Sequence, residues 1–409
     1  MSNLSDRIKN LTPEQQELLR RRMQRQPDPA GMAVSSPAAP AATAERQRAR
    51  RKVDFSIFFF SADGTTREED RYRLLIESTR FADRNGFSAV WTPERHFQAF
   101  GGLYPNPAVL SAALAMITER VQIRAGSVVL PLHSPVRVAE DWALVDNLSR
   151  GRVAISFATG WHEHDYVIAP ANYEDRRELM FRDIQVVRRL WAGEEVDLAG
   201  VHGKITAVKT FPRPIQPQLP FWVTVSSPRT WHRAGEIGAN VLTALGGLSL
   251  ETLSQSIAAY RKARLENGHD PRTGIVSLML HTYIGTDMDA IRDMVREPLK
   301  NYLQGYLAQF QPMVGDGVTD VSSREMQDLL ELAFENYFQN ASLMGTPAKC
   351  AAMVEKISLA GVNEAACLID FGVDFDSTML SLDHLAGLRR SLDTETVAAV
   401  EGAREQTVS

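Results

Sequence analysis

The sequence is poor in cysteine, with two in 409 residues. A disulfide-stapled mini-fold is excluded, and a reducing cytoplasm is the simpler compartment. Long apolar runs are absent: none approaches the ~18 residues a membrane span needs. The polar N-terminus lacks a signal-peptide pattern. Charge of one sign is also missing, with 45 Lys+Arg against 50 Asp+Glu and a net charge of −5, which argues against a nucleic-acid partner. No Walker glycine–lysine pattern occurs, and no GxGxxG follows the first predicted strand, so ATP hydrolysis and Rossmann-type NAD binding are poor readings. What is present is ordinary globular composition, 44% hydrophobic and 23% charged. The length suits two or three domains, or one α/β barrel with insertions.

The charge is unevenly placed. Residues 1–52 hold 11 Lys/Arg and 5 Asp/Glu. Taking that +6 from −5 leaves −11 for the rest. Residues 1–26 read as a helical leader. Thr12-Pro13-Glu14 forms a cap with proline at the first helical position. Leu11, Leu18, Leu19 and Met23 form a narrow apolar stripe, and Arg20, Arg21, Arg22 and Arg25 cluster where the helix dipole favours cations. Residues 27–52 are a Pro/Ala-rich, then basic, linker. The leader reads either as a solvated extension or as a docking element. The body is residues 53–395, and 396–409 a tail.

In the body, short β-branched or aromatic runs alternate with helical periods. The strands predicted are 54–60, 89–92, 122–130, 153–158, 221–225, 240–245, 275–284 and 365–371. Most are apolar on both faces, as buried parallel strands are. Helices predicted over 71–85, 174–191 and from Thr346-Pro347 onward stop at Gly86, Gly193 and Gly361. Eight βα units predict a (β/α)8 TIM barrel, with a doubly wound open sheet as the alternative. The stretch 298–340 is too long for one crossover helix and reads as an insertion. Residues 201–210 read as a hairpin.

A barrel places its chemistry at the C-terminal strand ends. After strand two stand Glu94, Arg95 and His96. Arginine can hold a developing negative charge, histidine can move protons near neutral pH, and glutamate can orient either. The bland reading is a loop-shaping ion pair. After strand three, the small residues Gly126 and Ser127 allow a flat ring close to the backbone or make a tight corner. His133-Ser134-Pro135 follows. Arg137, Glu140 and Asp141 read as structural charges. After strand four, Thr159, Trp161 and His162 read as a loop presented to a ligand. His162 and His164, alternating around Glu163, face one way but lack an evident third metal ligand, so no metal is expected. After strand five, Ser226, Ser227, Arg229 and Thr230 gather at a helix start with Pro228 at its first position, either a plain cap or an anion site.

Several of these runs, taken in order, carry a family resemblance. Ser56-Ile57-Phe58-Phe59-Phe60, Glu94-Arg95-His96-Phe97, Asn106-Pro107, Gly126-Ser127-Val128-Val129-Leu130-Pro131, Pro135-Val136-Arg137-Val138-Ala139-Glu140-Asp141 and Leu148-Ser149-Arg150-Gly151-Arg152 are similar to the bacterial luciferase-like flavin monooxygenases. The similarity runs from about Val53 to Arg390. Within the family the chain resembles the subgroup associated with nonribosomal peptide and polyketide biosynthesis, whose assembly lines carry leader helices of this Leu/Arg-rich kind.

The resemblance implies a barrel using reduced FMN (FMNH2) and O2, with a separate flavin reductase and an acyl or peptidyl carrier protein as partners. A homodimer is compatible with it. It implies an FMN phosphate at Ser226, Ser227 and Thr230 with help from Arg229. It implies an isoalloxazine ring backed by Gly126–Ser127, a frequent non-prolyl cis peptide in the family, and lined by Phe58, Thr159 and Trp161. Catalysis falls to Arg95, His96, His162 and Glu94. The luciferases proper carry two adjacent histidines after the glutamate. Here Arg95 takes the first place, which leaves the acid/base assignment open and argues against light emission. Ala158 and Thr159 stand where luciferases place a reactive cysteine and an arginine. The alternatives are a deazaflavin-dependent dehydrogenase on the same barrel, or a non-catalytic flavin-binding or scaffolding protein.

Overall fold

A computed structural model describes residues 52–60, 70–245, 248–308 and 323–408. The leader and nearly all of the linker lie outside the described residues.

Eight strands close a parallel ring: β1 (Asp54–Phe58), β2 (Ala89–Thr92), β3 (Gln122–Val129), β4 (Val153–Ala158), β7 (Phe221–Thr224), β8 (Asn240–Ala244), β9 (Val276–Ile284) and β11 (Glu364–Leu368). Each pairs in parallel with the next, and β11 pairs with β1. The sheet is a closed (β/α)8 barrel, not the doubly wound alternative. Helices α1 (Arg73–Arg84), α2 (Pro107–Ala115), α3 (Pro135–Ser149), α4 (Arg176–Ala192), α5 (Pro228–Glu236), α6 (Leu250–Glu266), α7 (Met288–Ala308), α8 (Ser323–Asn340), α9 (Pro347–Ala360) and α10 (Phe375–Val408) complete it. None among the described residues is long and apolar enough to cross a membrane.

Strand side chains alternate by two, which sorts the core. Ile57, Val90, Ile123, Ile155, Val223, Leu278 and Cys367 pack outward into the helical layer. Phe58, Trp91, Ala154, Trp222, Leu242 and Leu368 point into the barrel. There the Arg124 guanidinium lies between the Trp91 and Trp222 rings, 4.7 and 4.4 Å from their centroids. It ion-pairs with Glu364 at 2.9 Å, and Ser56 Oγ donates to the same carboxylate at 2.8 Å. A buried charge needs a partner and filled lone pairs, and this one has both. Cys350, on α9, and Cys367, on β11, are buried and free.

Several strands end earlier than their apolar runs predict, because the barrel mouth takes the last residues out of the ladder. Leu130 opens a 3-10 turn, Leu130–Leu132. The Phe60 amide donates to the Asp370 carboxylate at 2.9 Å instead of to a strand. The hairpin is wider than expected: β5 (Val196–Ala199) pairs antiparallel with β6 (Ile205–Val208). A short β10 (Leu343–Gly345) adds to β9.

The expected insertion does not begin at Pro298, because α7 starts at Met288 and carries that proline inside it. Helices α7 and α8 run antiparallel, joined by Arg292–Glu335, Arg296–Glu331 and Lys300–Glu331 ion pairs. Their apolar faces, with Val295, Leu299, Leu330, Phe334 and Phe338, join the cluster that fills the barrel interior. The pair therefore sits over one side of the mouth. The expected tail, 396–409, is helical as far as Val408, as the end of α10.

Candidate active site

Glu94 is the fixed point of the β2 end. Its side chain is fully buried, and its Oε1 accepts from two imidazoles, His96 Nε2 at 2.9 Å and His133 Nε2 at 2.5 Å. Its Oε2 accepts the Val129 amide at 2.7 Å. Burial raises the carboxyl pKa. The His133 and His96 hydrogen bonds and the Val129 amide outweigh burial and hold it below the usual range. Burial alone would lower His133, but its bond to Glu94 leaves it raised. Histidine 133 stands just past the Leu130–Leu132 turn, so two strand ends share one carboxylate.

Arg95 lies on the other side of the loop. Its guanidinium is 4.8 Å from the Phe60 ring centroid, 5.5 Å from Phe100 and 5.7 Å from Trp161. Burial lowers its pKa, against the pull of Tyr302, Asp165 and Tyr306. His162 is buried, with Nε2 2.8 Å from the Gln98 amide nitrogen. With that amide donating, the proton sits on Nδ1, which has Asp165 Oδ1 at 3.6 Å. Burial raises Asp165, opposed by His162, His96 and Arg95. The Trp161 ring meets His162 edge-on at 5.4 Å. Tyr166 donates its hydroxyl to the Thr159 carbonyl.

The insertion roofs this chamber with aromatics. Tyr302 packs on Phe60 and Phe100, and Tyr306 faces Trp161 at 6.1 Å. Under them His281 meets Tyr302 edge-on at 4.5 Å and packs on Tyr337 and Phe371. Burial drives its pKa down to about 3, so it is a neutral ring at physiological pH.

The third part lies on β3, β4 and β7. The Gly126–Ser127 peptide is cis. A Cβ on Gly126 would fall 2.9 Å from Phe58 and 3.1 Å from Trp91, so only glycine fits beside those rings. Ser127 Oγ and Ser156 Oγ both meet Thr224 Oγ1, at 2.5 and 2.8 Å. Two residues beyond Thr224 the chain exposes Ser226 and turns into α5. Ser227 caps that helix, accepting from the Thr230 amide, with Thr230 Oγ1 2.9 Å from its own hydroxyl. A shelf of hydroxyls and a helix start thus occupy neighbouring strand ends. Arg229 is 71% exposed and paired with Glu178 at 3.0 Å, which Arg233 also meets at 2.8 Å. Its charge is shared with α4 rather than held for the helix start.

A luciferase-like monooxygenase family model matches residues 52–364. The chain belongs to the luciferase-like monooxygenase family. The oxygenase component of the flavin-dependent trigonelline monooxygenase of Acinetobacter baylyi is 24% identical over 323 residues, 78% of this chain and 89% of that one. The oxygenating constituent of 3,6-diketocamphane monooxygenase from Pseudomonas putida, solved with FMN, superposes with a TM-score of 0.66 at 17% identity, over 82% and 97% of the chains. An F420-dependent secondary alcohol dehydrogenase superposes at 0.59 and 18% identity, over 80% and 97%. At these identities the solved structures show the fold alone.

In this luciferase-like barrel, predicted residues meet in pairs: Glu94 with His96, Arg95 with Trp161, and Trp161 with His162. Gly126 lies against Phe58, and Ser227 against Thr230. The sequence reading passed over His133, Gln98, Asp165, Ser156 and Thr224. The first had a signal, a histidine just past the end of strand three. Ser156 and Thr224 had one too, as hydroxyls in otherwise apolar strands. Tyr302, Tyr306 and Tyr337 had none, because the insertion carries no spacing that ties it to the mouth. Among the described residues, no group of three His, Cys, Asp or Glu is placed to hold a metal ion.

Proposed function

We propose that the chain is the oxygenase of a two-component system, using reduced FMN and O2 to hydroxylate or N-oxygenate an intermediate held on an acyl or peptidyl carrier protein. A separate flavin reductase supplies the reduced cofactor. The observation that carries this reading is the row Ser127–Thr224–Ser156 beside the helix start at Ser226–Thr230. The residues fit the group. A flat ring needs a close, polar-edged backbone, which Gly126–Ser127 offers where a Cβ has no room. A phosphate needs free amides and hydroxyls at a helix start, which Ser226, Ser227 and Thr230 offer. Phe58 and Trp91 back the shelf from inside the barrel, and the family resemblance assigns Thr159 and Trp161 to its β4 side.

Bound reduced FMN would supply the electrons that activate O2 and pass one oxygen atom to the substrate. The chain's own groups do the rest. Arg95, held among Phe60, Phe100 and Trp161, places a fixed positive charge for a developing oxyanion. His96 and His162 give and take protons, oriented by Glu94 and Gln98. Helices α7 and α8, with Tyr302 and Tyr306, exclude water from the chamber. The matching strand-end runs and the FMN-bound neighbour support FMN, the relative named as an oxygenase component supports a partner reductase, and the resemblance to the assembly-line subgroup supports a carrier-bound substrate.

Calorimetry with oxidised and anaerobically reduced FMN tests the cofactor. Saturable binding is expected, and no heat with either form removes the reading. Mass spectrometry of carrier-bound products formed under labelled O2 then locates the inserted atom and separates hydroxylation or N-oxygenation from Baeyer–Villiger insertion. The F420-dependent neighbour favours one second reading, hydride transfer to a deazaflavin without O2. An oxygen electrode decides: stoichiometric uptake supports the oxygenase, and turnover without uptake supports the dehydrogenase.

A further inference from the structure

The link from His96 through Glu94 to His133 is the arrangement the proposed chemistry leaves half used. One carboxylate oxygen, on a side chain with no solvent exposure, serves two imidazoles from different strand ends. The other oxygen is taken by the Val129 amide, which fixes the carboxylate plane. The two imidazoles differ in setting. His96 is 11% exposed and His133 is 33% exposed. An ion pair that only shaped the loop would need one of them.

We propose that Glu94 couples His96 and His133 into one proton-sharing unit, with His133 the solvent-side port of the barrel mouth. The step moves one proton and changes no oxidation state. His96, protonated from the mouth, releases its Nε2 proton to Glu94 Oε1. His133, in the neutral tautomer with its proton on Nδ1, takes that proton at its bare Nε2 and returns the Nδ1 proton to water, which leaves the Nε2–H that donates to Glu94. Uptake runs the same steps in reverse.

Titratable and charged groups face the unit from α3, the β2 loop and the turn after β4. Asp141 on α3 acts on His133 from outside, and burial of that ring is outweighed by Glu94. Asp165 and His162, from the turn after β4, stand near His96 together with Arg95. Tyr166, from the same turn, feels the Glu94 charge. Asp165 offsets Arg95 on the mouth side, and Asp141 is paired with Arg137 at 2.8 Å on the other, so the direction follows from exposure, with His133 the more open ring.

The use of these protons rests on the oxygenase reading, but the coupling is a property of the chain alone. The test therefore starts on the full chain without ligand. Histidine side chains labelled with 15N are titrated by NMR, with the His96 signal among the nine histidines assigned from its loss in His96→Gln. His133→Asn keeps a donor for Glu94 but cannot be protonated, and His133→Gln serves if the first variant is unstable. With His133 no longer neutralising Glu94, the His96 midpoint is expected to rise by about one pH unit or more, the interaction at which two sites titrate as a pair. An unmoved midpoint overturns the coupling, whatever FMN calorimetry shows. In turnover, the limb of the kcat profile governed by His96 is expected to move by the same amount. A port also predicts a lower kcat plateau in His133→Asn, and a plateau at the wild-type value with the limb moved overturns the port role, since a purely electrostatic neighbour moves the limb alone.

Discussion

Replacing Glu94 by glutamine separates charge from shape at the centre of the site. The side chain is isosteric and remains fully buried, but three donors converge on it: His96 Nε2, His133 Nε2 and the Val129 amide. A carboxylate accepts all three. An amide offers one oxygen, and its NH2 must face a donor whichever way it turns. At least one charge-assisted hydrogen bond is lost and one buried donor is left unpaired, a cost of about 2–4 kcal/mol. The cost depends on pH. Glu94 has a lowered pKa, so its contribution is fully present above the unfolded carboxyl value and is lost as pH falls through the folded one. His133 has a raised pKa, so its contribution is fully present below the unfolded imidazole value and is lost as pH rises through the folded one. The two windows overlap between about pH 4.5 and 6.5. Urea unfolding of wild type and Glu94→Gln at pH 5.5 and pH 9 should show the larger gap at pH 5.5. A gap under about 1 kcal/mol at pH 5.5, or one that grows toward pH 9, refutes the assignment of Glu94 as an ionised bridge.

Arg95→Ala should leave FMN binding intact and lower product formation about tenfold or more, the scale of one lost oxyanion contact; near-wild-type turnover removes Arg95 from the chemistry. Ser227→Asp keeps a helix cap but places a negative charge at the expected phosphate, so FMN affinity should fall about tenfold or more; an unchanged affinity moves the phosphate elsewhere. Gly126→Ala sets a methyl 2.9 Å from Phe58 and 3.1 Å from Trp91, an overpacking cost of about 1–3 kcal/mol; thermal melting should show the loss, and an unchanged melt means the rings give way.

The barrel was legible because its evidence is local. Strands such as 89–92 and 153–158 are apolar on both faces, and Gly193 and Gly361 stop their helices in left-handed conformations. Strand ends at the mouth were less legible, since Phe60 and Leu130 look like strand residues until Asp370 or a turn claims them. The insertion was visible as excess length, but its start was not. Pro298 reads as a break, yet ten residues of helix precede it, held by packing on the barrel and the ladder of ion pairs to α8. In the site, motif residues were legible and their partners were not. Glu94 and His96 are two residues apart, but the Glu94–His133 contact spans 39 positions and exists only once β2 and β3 pair.

That difference bears on what tunes the reaction. The motif positions fix which groups reach the mouth, while their charge states are set by partners from neighbouring strand ends. Burial alone would raise the Glu94 pKa, and the lowered value comes from His133 and His96 together with the Val129 amide. Arg95 is lowered by burial among rings from the chain just past β1, the β2 loop and the β4 loop, with Tyr302, Asp165 and Tyr306 pulling it back. Two chains with the same Glu-Arg-His run but different residues at 133, 302 or 306 would therefore present the same atoms to a substrate with different proton and charge balance. Substitutions at His133, Tyr302 and Tyr306 should accordingly shift pH dependence more than they shift flavin affinity, whereas changes at Ser127, Thr224 and Ser227 should do the reverse.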